Sequence, residues 1–289
     1  MLEKVNVLIV GLDRCPEICA PVLAKFFGNL FPESTEINYH IFLWLPRDGR
    51  IINSRSEEDG SIQRNSSSAW HQGFGVAPVE TVQPPVEQVF SSDPFSKEFR
   101  ARGDIYGDDF KTVANYFSYL NGLNCAAEHF WDILNHSLPA ILLRPDLIPV
   151  NVDVLALRNV FETVDDITVY TPPWDCFSYS NDRIMVGSTD NVLRIMMRKE
   201  YSGRFLSDSL MFFHSEAYLH YCIRASGRRV KRLDERSKFA RVRSNGKILR
   251  ERYDRDHILS FIASRIFFLR KALIFRLRAM RETSSFLKC

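Results

Sequence analysis

Apolar positions along the chain switch between two periods. Val5-Asn6-Val7-Leu8-Ile9-Val10 is a short, β-branched run that ends at Gly11, and residues 16–30 then carry apolar side chains at helical spacing. This predicts strand, turn and helix, the opening of an α/β unit. A second run, residues 39–45, is again strand-like and stops at Pro46, which predicts a parallel neighbour reached by a crossover. From residue 53 to about 95 the composition turns to Ser, Glu, Gly, Gln and Pro, predicting a long loop that serves as a lid or an insert. Helical spacing returns over residues 110–134, where Val113, Tyr116, Phe117, Leu120, Leu123, Ala127, Phe130 and Leu134 share a face.

Three strand candidates follow: Ala140-Ile141-Leu142-Leu143 running into Arg144-Pro145-Asp146, then residues 166–170, then residues 183–187. Such a succession predicts the middle of a sheet. Residues 216–224 read as a helix, residues 224–255 as a basic stretch interrupted by acids, and residues 258–280 as an amphipathic cationic helix. The predicted architecture is α/β, a mixed, mostly parallel central sheet flanked by helices. It divides into a domain over residues 1–250, including the loop 53–95, and a basic helical extension over residues 251–289.

Composition narrows the function classes. With 289 residues, 45% of them hydrophobic and 25% charged, the chain can bury a full core, so disorder is not expected. A net charge of +3 is too small to mark a nucleic-acid binder, because phosphate affinity comes from clustered Lys and Arg. Cys15, Cys19, Cys125, Cys176, Cys222 and Cys289 are scattered without a CxxC pair, and Cys15 and Cys19 with a distant His71 lack a second ligand pair for zinc. Reduced thiols in a cytoplasmic protein are expected. The run 5–10 is too short for a secretory signal, and no apolar stretch is long enough to span a bilayer. The helix 258–280 fits docking at an anionic membrane surface or packing on the core with solvated arginines; its runs 266–269 and 272–275 favour the membrane.

Three constellations could carry chemistry. Leu143-Arg144-Pro145-Asp146 ends an apolar strand, where open α/β sheets place ligands; a Pro turn with an internal Arg-Asp pair is the plainer alternative. Asn181-Asp182-Arg183 precedes an apolar strand ending Gly187-Ser188, downstream of Pro172-Pro173-Trp174, and taken alone is ordinary turn chemistry. His214-Ser215-Glu216 opens a helix, where Glu216 can act as a general base or simply face the helix dipole.

Taken in order, these segments resemble small GT-A-like (Rossmann-like) glycosyltransferases of the kind that build surface glycans in bacteria and large DNA viruses. The likeness extends to the first strand with Gly11 and Arg14, and to Arg241-x-Arg243 before Asn245-Gly246. It implies a hexosyl- or pentosyltransferase using a nucleotide-sugar, a UDP-sugar first, and a glycan acceptor, free or linked to lipid or protein. By position it implies Glu216 and Asp182 as catalytic carboxylates. Gly11, Arg14, Arg144, Asp146, Asn181, Arg183, His214, Arg241 and Arg243 would contact the donor, and Asp146 would hold a divalent metal, Mn²⁺ or Mg²⁺. The usual metal signature has two acids flanking one residue; Arg144 stands at the first of them, which leaves the metal open and gives Arg144 part of the cation's work.

The competing readings are a noncatalytic phosphate- or RNA-binding protein built on residues 224–255, and an inactive membrane-associated α/β scaffold. Asp234, Glu235, Glu251, Asp254 and Asp256 dilute the basic field and argue against a nucleic-acid partner.

Overall fold

Lys4–Leu12 (β1) is apolar on both faces because both are covered by helices, which is why its sequence reads as a continuous run rather than an alternation. Its odd positions Val5, Val7 and Ile9 pack toward Pro16–Leu30 (α1), while Leu8 and Val10 face the opposite layer. The structure, a computed structural model, describes residues 2–47, 50–53, 58–61, 66–174, 179–209, 213–234 and 237–250. The expected C-terminal helix, Cys176 and Cys289 lie outside the described residues.

Glu36–Pro46 (β2) pairs parallel to β1, as the crossover predicted. Arg50–Asn53 (β3) and Glu58–Ser61 (β4) form a small antiparallel pair. Ser66–Phe74 (α2) and Val79–Gln83 (β5) follow, then Val86–Ser91 (α3), Ser96–Ala101 (α4) and Lys111–Trp131 (α5). The segment expected as a long loop therefore carries regular elements. Buried Trp70 and Phe74, one helical turn apart, are enough to seat α2 on α1, and β5 needs only one parallel edge to join.

Next come Pro139–Leu143 (β6), Leu147–Asn151 (β7), Val154–Glu162 (α6), Thr168–Thr171 (β8), Ile184–Ser188 (β9), Thr189–Met196 (α7), a 3₁₀ turn Arg198–Tyr201, Ser202–Asp208 (α8) and Ser215–Ala225 (α9). Arg229–Arg232 (β10), Lys238–Val242 (β11) and Ile248–Arg250 (β12) complete the described elements. The main sheet has seven strands in the order β10-β8-β9-β6-β1-β2-β5. Only β9 runs against its neighbours, so the expected mixed, mostly parallel sheet is what forms. Helices α1, α2 and α6 cover one face; α5, α7 and α9 cover the other. A third, aromatic cluster joins Phe90, Phe99, Phe117, Phe205 and Phe213 beside α5.

Two features position the site. The chain leaves β1 toward β2 on one side and returns to β6 on the other, so the strand order reverses at the β1–β6 junction, the place where open α/β sheets form a crevice. The second sheet, β12-β11-β7, grows from the residue after Asp146: β11 pairs antiparallel with β7, Arg241 opposite Leu147, and Val242 N donates to the Asp146 carbonyl at 2.8 Å. Residues 95 positions apart are thereby brought side by side.

Candidate functional site

At the carboxyl edge of the β1–β6 junction, Asp146 is fully buried and gathers three guanidiniums. Arg144 grips it with both arms of its fork, Nε to Oδ1 at 3.0 Å and Nη2 to Oδ2 at 2.9 Å. Arg14, from the turn after β1, donates to Oδ2 at 2.7 Å, and Arg241 from β11 donates to the same oxygen at 3.2 and 3.4 Å. Burial alone would raise the Asp146 pKa; Arg144, Arg241 and Arg14 overcome it and hold the carboxyl well below the usual carboxylate range. Arg241 shows the reverse balance. Burial, then the charges of Arg144, Arg183 and Arg14, push its pKa down to about 9 against the pull of Asp146. An arginine at that value is still charged at neutral pH, and the depression reflects its burial first and the neighbouring guanidiniums second.

Gly11 serves this arrangement through packing. A Cβ at Gly11 would stand 2.6 Å from Pro145 Cδ, so glycine lets the end of β1 close on the Arg-Pro-Asp turn. Behind it, Asp13 is fully buried and accepts from Trp70 Nε1 at 3.2 Å, tying the same turn to α2.

Asp182 lies just before β9, whose first residue pairs with Leu143, so it shares the carboxyl edge with Asp146. It is bound at 2.5 Å by Arg198, which is fully buried and also donates to Tyr116 Oη at 3.3 Å and to the Ile195 carbonyl at 3.0 Å. Tyr119 stands between the two clusters, its ring 5.5 Å from the Arg144 guanidinium and 5.7 Å from that of Arg198. The Asp182 charge also acts on Arg144 and helps to raise its pKa, after burial has lowered it and Asp146 and Tyr119 have raised it. Asp146, Arg144, Tyr119, Arg198 and Asp182 thus form one electrostatic seam.

The other expected residues take different places. Asn181 is buried and consumed by its own turn, donating to the Trp174 carbonyl at 3.0 Å and accepting from Arg183 N at 2.8 Å. Arg183 lays its guanidinium 5.7 Å from the Trp174 ring. Glu216, in the first turn of α9, accepts from Ser215 Oγ at 2.5 Å and lies 3.3 Å from His214 Nδ1, with His214 stacked on Tyr106. Its neighbour Ser215 accepts from Tyr116 Oη through its carbonyl at 3.5 Å. Arg243 sits at the turn between β11 and β12, its N–H on the Lys247 carbonyl at 2.9 Å. The sequence did not single out Arg198, Tyr119 or Asp13; only Asp13, next to Arg14 at a strand end, carried a local signal.

The residues present do not fit a divalent metal at Asp146. Its side chain is sealed from solvent, and a dication there would meet three guanidiniums, with a repulsion of about 4 kcal/mol for each pair of unit charges 4 Å apart. Among the described residues no group of three or more His, Cys, Asp or Glu side chains is placed to hold a metal ion, and no helix is long and apolar enough to cross a membrane. The described cysteines, Cys15, Cys19, Cys125 and Cys222, are free thiols.

No protein-family model and no curated protein sequence matches the chain. Among solved structures it is similar to the galactosyltransferase LgtC in complex with donor and acceptor sugar analogs. The two are 12% identical, the match covers 79% of this chain and 72% of that one, and the TM-score is 0.42.

Proposed function

We propose that this chain is a glycosyltransferase that moves a sugar from a nucleotide-sugar, a UDP-sugar first among the donors, to a glycan hydroxyl. The observation that carries the reading is the meeting of Arg14, Arg144, Asp146 and Arg241 at the point where the strand order reverses, with Asp182 on the same edge. In the proposed reaction the acceptor oxygen bonds to the anomeric carbon, and the bond from that carbon to the diphosphate breaks with its electron pair leaving on the diphosphate. Guanidiniums already oriented by Asp146 favour that developing charge, which is greater in the transition state than in the bound donor.

The acceptor's proton needs a carboxylate. Glu216 is assigned this role because Ser215 and His214 hold it in a fixed orientation at the start of α9. Asp182, locked by Arg198, is assigned to the transferred sugar's hydroxyls. The acceptor proposed is a glycan carried on lipid or protein at an anionic membrane, the setting that the basic residues 258–280 suggest.

The test is turnover of a panel of nucleotide-sugars, followed as nucleoside diphosphate release with and without glycan acceptors. Release from one donor class, lost in Glu216→Gln with the melting temperature retained, is the expected outcome. Phosphate binding without turnover of any donor would instead favour a noncatalytic phosphate-binding protein.

A further inference from the structure

Resting on the transferase reading, we infer that the arginine cluster at Asp146 binds the donor's diphosphate directly and takes the whole place of a divalent cation. The cluster has the composition of an anion site. Arg14, Arg144 and Arg241 arrive from three separate segments, and a single buried carboxylate holds all three. Arg144 spends two of its five N–H groups on Asp146 and is steadied from the side by the Tyr119 ring. A planar fork immobilised in this way recognises phosphate oxygens at little further cost in side-chain freedom. Asp146 is then a positioning residue: it aligns guanidiniums, and it does not ligate a metal.

The charge balance agrees with the geometry. Arg14, Arg144 and Arg241 converge on the one carboxylate of Asp146, and the charges of Arg144, Arg183 and Arg14 add to burial in pushing the Arg241 pKa down. Three guanidiniums so gathered attract a diphosphate and repel a dication. The arginine side chains at Asp146 keep between 8% and 18% of their surface open, while the carboxylate keeps 0%, so a cation finds no oxygen of Asp146 to bind.

The experiment is a binding titration of the full chain with inorganic pyrophosphate at constant ionic strength, in excess EDTA and again with Mn²⁺ or Mg²⁺, with sulfate as the comparison anion. The expected result is saturable pyrophosphate binding in EDTA that added cation does not strengthen. Sulfate should bind more weakly, and Arg144→Gln should weaken pyrophosphate about tenfold or more. Arg144→Lys, which keeps the charge but loses the fork, should recover only part of the loss. Pyrophosphate binding that requires Mn²⁺ or Mg²⁺, or that sulfate matches, overturns the inference, and the wild-type chain gives that answer even if no variant folds. Pyrophosphate held in EDTA by a chain that turns over no nucleotide-sugar would sink the transferase reading and leave the anion site standing. Turnover abolished by EDTA and restored by Mn²⁺ would do the opposite.

Discussion

Two aspartates at opposite edges of the main sheet each collect three basic side chains, and they differ in almost everything else. At the carboxyl edge Asp146 is sealed and held by arginines from the ends of β1 and β6 and from β11. At the amino edge, in the first turn of α7, Asp190 pairs with Arg194 at 2.8 Å, Arg228 at 3.2 Å and His136 at 3.7 Å, with a third of its side chain exposed. An open hollow of about 560 Å³ lies beside Asp190, yet the site reading belongs to Asp146. Ion-pair number and surface relief do not separate the two. Burial does: a carboxylate taken out of water depends on its partners far more than one that water can reach. The Asp190 pairs are partly hydrated, the class whose net worth is small.

The sharpest way to break this contrast is to neutralise each acid. Asp146→Asn should destabilise the fold by about 3–5 kcal/mol, because it leaves buried guanidiniums facing a neutral amide. Asp190→Asn should cost about 1 kcal/mol or less. Urea unfolding followed by circular dichroism reads both, and equal losses would erase the distinction. The pH dependence carries the same information. Since the folded-state pKa of Asp146 lies below the unfolded value near 3.8, its contribution is fully present above that value and disappears as pH falls through the folded one. The stability gap between wild type and Asp146→Asn should stay flat from neutrality down to about pH 4 and close only in stronger acid.

A smaller effect tests whether the carboxyl edge depends on close packing as well as charge. Gly11→Ala sets a methyl 2.6 Å from Pro145 Cδ and should cost about 1–3 kcal/mol, with weaker anion binding as the Arg-Pro-Asp turn shifts. Gly28→Ala, on the exposed side of α1 with nothing within 4 Å of the added methyl, should stabilise by about 0.5–1 kcal/mol. Opposite signs from the same substitution are the expected outcome of paired thermal melts.

The same contrast explains what the amino-acid sequence disclosed. β1, β2, β6, β8 and β9 were legible because strands covered on both faces are continuous apolar runs, and Arg144 and Asp146 were legible because they end one. β10, with the residues Arg-Val-Lys-Arg at an edge, has no apolar pattern to betray it, and β7 is disguised by Pro149. β11 hides in a charged stretch, so the meeting of Arg241 with Asp146 depends on a pairing register that no local spacing records. Arg198 was illegible for the same reason: its partners Asp182 and Tyr116 lie 16 and 82 positions away. Residues 53–95 read as loop because one turn of Trp70 and Phe74 is too short a periodicity to register as a helix.

The gentlest test adds only salt to the same pair of variants. At 1 M salt the screening length falls to about 3 Å, shorter than most of the exposed approach to Asp190, so the few tenths of a kcal/mol separating wild type from Asp190→Asn should vanish there. Asp146 has no solvent between its oxygens and the guanidiniums on them, and ions cannot enter that gap. The penalty of Asp146→Asn should therefore be nearly the same in dilute buffer and at 1 M salt, measured as the shift in urea midpoint. If salt erased both penalties alike, the cluster at Asp146 would be hydrated in solution, and its claim to hold arginines in register for an incoming diphosphate would fall with it.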